Sequence, residues 1–154
     1  MTTNYPRIVK EIEEIRKNID KNFKIYVSDK NLMDWYILYS NIDDERFKNG
    51  EYLLHIKLQE GYPFKPPEFK WLTPNGRFEI NTKICYNIST YHEETWNPLW
   101  RMRTIIIGIL SMLLEKNTAG IGHLQNITLE KFIELSNKSK NYNKNIIESY
   151  KLEF

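Results

Sequence analysis

One cysteine, Cys85, and three histidines, His55, His92 and His123, hold most of the nucleophilic and proton-transfer chemistry open to this 154-residue chain. A thiolate both attacks and leaves well, so a cysteine can accept an acyl group from one partner and pass it to another. Alone, it cannot close an internal disulfide. No pair among the cysteine and histidines has zinc-ligand spacing, so no metal site is expected. A lone cysteine is more often buried and inert than reactive. The residues around Cys85 therefore decide between the two readings.

Three motifs surround it. Tyr62-Pro63-Phe64-Lys65-Pro66-Pro67 is dense in proline, which imposes extended geometry and removes backbone donors. It reads as a rigid turn between strands that also holds an aromatic, Phe64, out for a partner. Leu72-Thr73-Pro74-Asn75-Gly76-Arg77-Phe78 is a Pro-Asn-Gly turn leading to Ile84-Cys85. Thr95-Trp96-Asn97-Pro98-Leu99-Trp100 places two tryptophans around a proline, a pattern of local packing.

The elements that must position these motifs follow from periodicity. Ile8, Ile12, Ile15 and Ile19 predict an amphipathic helix over 7–19, with Pro6 suited to its first turn. Strands are expected over 23–27, 32–39, 51–58 and 69–72, forming an antiparallel meander, with a polar connection over 42–50. Residues 72–102 have no sustained period. An irregular stretch that long in a compact domain is usually functional, and Cys85 lies inside it. An apolar helix over 104–114 reads as central. A second starts at Thr128 with Leu129, Phe132, Ile133 and Leu135 as its apolar face, and a weak terminal helix is expected over 140–152. The 154 residues favour one domain, 1–154. Hydrophobic content of 41% and aromatic content of 14% suffice for a core. The net charge of +2 argues against nucleic acid as a partner. No apolar run approaches the roughly 20 residues needed to span a bilayer, and residues 1–10 lack a signal-peptide core. A soluble, cytoplasmic monomer is expected.

In order and at fitting separations, YPFKPP, a strand, TPNGRF, a cysteine and WNPxW before an apolar helix resemble the ubiquitin-conjugating enzymes. More narrowly they resemble the J-type branch associated with endoplasmic-reticulum quality control. Residues 31–35, 89–92 and 119–122 also look like that branch. The resemblance covers about residues 7–124 and implies an α+β fold: an N-terminal helix, a four-stranded antiparallel meander, a long active-site loop and C-terminal helices. It implies a thioester between Cys85 and the C-terminal glycine of ubiquitin, and transfer to a substrate lysine, or to serine or threonine, usually with a ligase. Asn75 matches the asparagine proposed to stabilise the oxyanion. An acidic residue is missing near Gly120, where many relatives use one to orient the acceptor. His92 and His123 are the nearest candidates for base or orienter. Phe64, Pro98 and Leu99 match the ligase-docking loops, and Arg7, Lys10 and Glu11 match the surface used by the activating enzyme. That enzyme consumes the ATP, so no cofactor is expected.

The chain departs from the family at three places. Thr73-Pro74-Asn75 replaces His-Pro-Asn, Tyr86 follows the cysteine in place of leucine, and His92-Glu93-Glu94 replaces the branch's His-Pro-Glu. Branch members usually end in a membrane anchor, whereas this sequence stops at Phe154 without one. Two other readings share these features: a weak or inactive variant that presents ubiquitin or a ligase, and a conjugating enzyme for another ubiquitin-like modifier.

Overall fold

The structure is a computed structural model that describes residues 2–84, 96–116 and 124–154. Helix α1 runs Tyr5–Lys17. It starts two residues before the predicted position because Asn4 caps it, its side-chain oxygen accepting from the Arg7 N–H at 3.1 Å. It also stops early, so Ile19 falls outside the helix and is 91% exposed instead of completing the apolar stripe.

Strands β1 (Phe23–Ser28), β2 (Asn31–Tyr39), β3 (Tyr52–Lys57) and β4 (Glu68–Trp71) form one antiparallel sheet in sequential order, as the meander reading expects. Its register stacks the bulky residues in rows. Phe23, Tyr39 and Tyr52 lie side by side, as do Val27, Trp35, Ile56 and Phe69, and Ile37 pairs with Leu54 beside Trp71. Side chains alternate between the two faces of a strand, so this set forms one face and packs on α1 and on α2 (Met102–Leu114). Helix α2 is central, as its composition suggests: Ile105, Ile106, Ile109, Met112 and Leu113 are buried, and the Tyr39 hydroxyl donates to the Ile106 carbonyl at 2.8 Å.

The two C-terminal helices predicted from sequence are a single helix, α3 (Leu129–Tyr150), capped by Thr128. Its middle looks weak in sequence because its inward stripe is polar: Phe132 is followed by Ser136, Ser139 and Asn143, all buried. Ser139 accepts from the Glu51 N–H, and Asn143 donates to the Glu51 carbonyl at 2.7 Å while accepting from the Thr73 hydroxyl. These bonds satisfy the backbone at the start of β3 and pin α3 to it. Farther along, Ile146, Ile147 and Leu152 cover Leu38 and Leu53 on the second face of the sheet.

Candidate functional site

The segment leading to Cys85 is fixed along β4. Ile80 and Lys83 bridge to Trp71 and Lys70, and the Ile84 N–H donates to the Phe69 carbonyl at 3.2 Å. Ile84 is fully buried. The chain is thus held to the sheet up to the residue before the cysteine. Cys85 itself, with His92, lies in 85–95, and His123 and Gly120 lie in 117–123; all four are outside the described residues.

Asn75 opens this segment and is 1% exposed. Its side-chain oxygen accepts from the backbone N–H groups of Arg77 at 2.9 Å and Phe78 at 2.8 Å, and its amide donates to the Thr73 carbonyl at 3.0 Å. One carboxamide therefore closes the turn by itself, a common use of asparagine. Gly76 follows at φ +83, and a Cβ there would lie 2.6 Å from the Phe132 ring. Glycine is required on both counts.

The two other motifs meet in space. The Tyr62–Pro63 peptide is cis, and the Phe64 N–H closes the turn onto the Gly61 carbonyl at 2.8 Å. Across from it, the Trp96 indole N–H donates to the Pro63 carbonyl at 2.7 Å. Trp96 packs edge-on against Trp100, so the local packing expected of the two tryptophans is present. Phe64 and Leu99 are left 57% and 78% exposed, and Pro98 is partly exposed between them in sequence. Two apolar tips on mutually fastened loops are suited to a small docking site with an aromatic anchor.

Of the three α1 residues expected on a docking face, only Lys10 is exposed. Glu11 is 1% exposed, which removes it from any surface. One of its carboxylate oxygens accepts from the Tyr62 hydroxyl at 2.6 Å and the other from the Met102 N–H at 2.8 Å. Burial, followed by the Glu11 charge, pushes the Tyr62 hydroxyl well above the ordinary tyrosine range. Arg7 also turns inward. Its guanidinium donates to the Trp100 carbonyl at 2.8 Å and reaches Glu11 at 3.4 Å. The signal was present in the sequence, because position 11 sits inside the stripe drawn by Ile8, Ile12 and Ile15. Beside this group, Arg101 donates to both oxygens of Glu14, at 2.7 and 2.8 Å, and those hydrogen bonds hold the Glu14 carboxyl below its usual range.

A ubiquitin-conjugating enzyme family model matches residues 7–150. The chain belongs to the ubiquitin-conjugating enzyme family. The chain is 39% identical over 116 residues to ubiquitin-conjugating enzyme E2 32 of Arabidopsis thaliana, covering 75% of this chain and 38% of that protein. It is 36% identical over 136 residues to human ubiquitin-conjugating enzyme E2 J1, covering 88% and 42%. With the E2 J2-like enzyme of Dictyostelium discoideum it shares 33% over 138 residues, covering 90% and 80%. The chain thus spans well under two thirds of the plant and human relatives. Among solved structures, human ubiquitin-conjugating enzyme E2 G1 superposes with a TM-score of 0.60 at 27% identity, covering 71% of this chain and 93% of that one. A putative ubiquitin-conjugating enzyme from Plasmodium yoelii shares the fold with a TM-score of 0.63 at 21% identity, covering 76% of each chain.

In this family member, two arginines brace the end of α2: Arg77, inside the TPNGRF motif but given no role there, and Arg46, outside the motifs. Arg77 donates to the carbonyls of Leu113 and Met112 at 3.2 and 3.3 Å, and Arg46 donates to that of Leu114 at 2.8 Å. Both cations sit on the negative end of the helix dipole. Burial, and then the charge of Arg46, lower the Arg77 pKa below its ordinary value. The Arg77 carbonyl in turn accepts from the Leu124 N–H at 2.7 Å. The turn carrying Asn75 is therefore tied to the described residues on both sides of positions 117–123. No helix among the described residues is long and apolar enough to cross a membrane.

Proposed function

We propose that this chain accepts the C-terminal glycine of ubiquitin as a thioester on Cys85 and transfers it to a substrate. The observation that carries this reading is the family match over residues 7–150, which spans Cys85 in its motif. The anchoring of Ile84 to β4 and the closed Asn75 turn support it, because they bring a fixed backbone up to the cysteine.

In loading, the Cys85 thiolate attacks the thioester of the activating enzyme. A new carbon–sulfur bond forms, the activating enzyme's sulfur leaves as thiolate, and the thiol proton passes to solvent. That enzyme has already consumed the ATP, so this chain takes no cofactor. In discharge, an acceptor amine or hydroxyl adds to the thioester carbonyl. The oxyanion collapses, the Cys85 sulfur leaves and the acceptor loses its proton. Asn75 serves first to shape the loop; the amide hydrogen not used on Thr73 is the one available to the oxyanion. A lysine acceptor, with a pKa of about 10.4, must give up a proton to attack at neutral pH. His92 and His123 are the proposed bases or orienters. Hydroxyl acceptors, serine or threonine, fit the absence of an acidic residue at 120. Lys10 and the exposed side of α1 receive the activating enzyme, and Phe64, Pro98 and Leu99 receive the ligase.

The test is incubation with activating enzyme, ATP and ubiquitin, followed by gels with and without reductant. A reductant-sensitive adduct that disappears in Cys85→Ala is the expected result. Its absence in the unmodified protein would refute the reading. Repeating the assay with other ubiquitin-like modifiers identifies the cargo, and mild hydroxylamine applied to the products separates esters, which it cleaves, from amides.

A further inference from the structure

We infer that Glu11 is a positioning residue that sets the two ligase-docking loops relative to each other, from inside the protein. The inference rests on the proposed docking role of Phe64 and Leu99.

The position of Glu11 is the first argument. It occupies a core site in the middle of the Ile8, Ile12 and Ile15 stripe, where an apolar side chain would be the ordinary choice. A buried carboxylate is costly unless it is fully paired. Here it is, and apart from Arg7 on the same helix its partners come from the docking loops or their immediate flanks. One oxygen serves the first loop, through the hydroxyl of Tyr62, two residues before Phe64. The other serves the second, through the N–H of Met102, three residues after Leu99. Arg101 adds an ion pair to this second oxygen at 3.8 Å.

The second argument is that the circuit closes. Arg7 lies over the Tyr62 ring at 5.7 Å, contacts Glu11 and holds the Trp100 carbonyl. At the outer end, Trp96 joins the second loop to the Pro63 carbonyl of the first. The loops are thus tied twice, by Trp96 near the surface and by Glu11 beneath. If either loop shifts, one oxygen of Glu11 loses its shortest hydrogen bond. Helix α1 therefore reaches the ligase site through its buried side, while Lys10 and the rest of its outer side face solvent.

The test uses the full chain, labelled with ¹⁵N, and the variants Glu11→Gln, Tyr62→Phe and Phe64→Ala. Glutamine keeps the size and one acceptor of glutamate but loses its charge, and phenylalanine removes only the hydroxyl. The indole N–H resonance of Trp96 reports the outer tie, and that of Trp35, bonded to the Leu32 carbonyl, reports an intact sheet. Discharge to free lysine is measured with and without an isolated RING domain that accelerates discharge of the unmodified protein. We expect the Trp96 resonance to move in Glu11→Gln and Tyr62→Phe while that of Trp35 stays. Ligase-stimulated discharge should fall about fivefold to tenfold, as for loss of one hydrogen bond, and by a larger factor than loading. An unmoved Trp96 resonance in both variants overturns the inference, and so does loss of loading by the same factor as discharge. Phe64→Ala tests the docking reading alone. If it leaves ligase stimulation intact, that reading fails, and the Trp96 resonance still decides whether Glu11 sets the loops.

Discussion

The indole N–H of Trp96 and the carbonyl of Pro63 are 33 positions apart in sequence and 2.7 Å apart in space. This single bond joins a proline-rich turn between strands to the loop entering α2. It leaves the two most exposed apolar tips of the region, Phe64 and Leu99, on one fastened unit. Replacing Trp96 by phenylalanine keeps an aromatic ring but strands the buried Pro63 carbonyl. The expected cost is about 1–3 kcal/mol in urea unfolding. Ligase-stimulated discharge should fall further than intrinsic discharge. Unchanged stability together with unchanged ligase stimulation would show that the bond does not matter.

Asn75 offers a separation of two roles. Aspartate at this position retains oxygens to accept from the Arg77 and Phe78 N–H groups but has no amide hydrogens. Alanine loses both functions. Asn75→Ala should therefore cost about 2–4 kcal/mol, since two buried donors lose their acceptor, whereas Asn75→Asp should remain the more stable of the two. If the amide also serves the oxyanion, Asn75→Asp should slow single-turnover discharge by about 10²–10³. Near-normal discharge in this variant would confine Asn75 to shaping the loop.

Gly76→Ala places a methyl group against the Phe132 ring at a backbone conformation that disfavours any side chain. The left-handed conformation costs about 1–2 kcal/mol, and overpacking a rigid ring adds about 1–3 kcal/mol. A loss of about 2–5 kcal/mol by urea unfolding is the expected sum. A loss under half a kcal/mol would mean that the turn and α3 are not in contact in solution.

The Asp44 carboxyl is held below its usual range, first by side-chain hydrogen bonds from Arg46, at 3.0 and 2.9 Å. A carboxyl whose pKa is depressed in the folded state binds its proton more readily when unfolded. Its contribution is therefore complete above the ordinary carboxylate pKa of about 4 and is lost as pH falls through the lower folded value. Urea midpoints should drop below about pH 4, and Asp44→Asn should flatten that drop. Parallel pH profiles for the two proteins would remove Asp44 as a contributor.

Much of the architecture is written locally. The isoleucine spacing of α1 and the alternation of β1 leave a period that can be read without neighbours, while the aromatic and branched residues of β2 and the apolar run of α2 mark buried elements by composition. The motifs around Cys85 are equally legible, because tight turns demand proline, asparagine and glycine at fixed positions. The errors fall where buried polar groups replace apolar ones. Glu11 reads as a charged surface residue and is a core one; the middle of α3 reads as a break and is a continuous helix with a polar inner stripe.

The sequence by itself determined the order of elements, the family motifs and the cysteine to which they lead. The tertiary structure alone decided which partners the inward polar residues meet, for a physical reason. A carboxylate or carboxamide is stable in the interior only if its partners arrive, and those partners come from far along the chain. Thr73 meets Asn143 from 70 positions away and Met102 meets Glu11 from 91. No local pattern records a hydrogen bond whose other half is supplied only when the chain has folded.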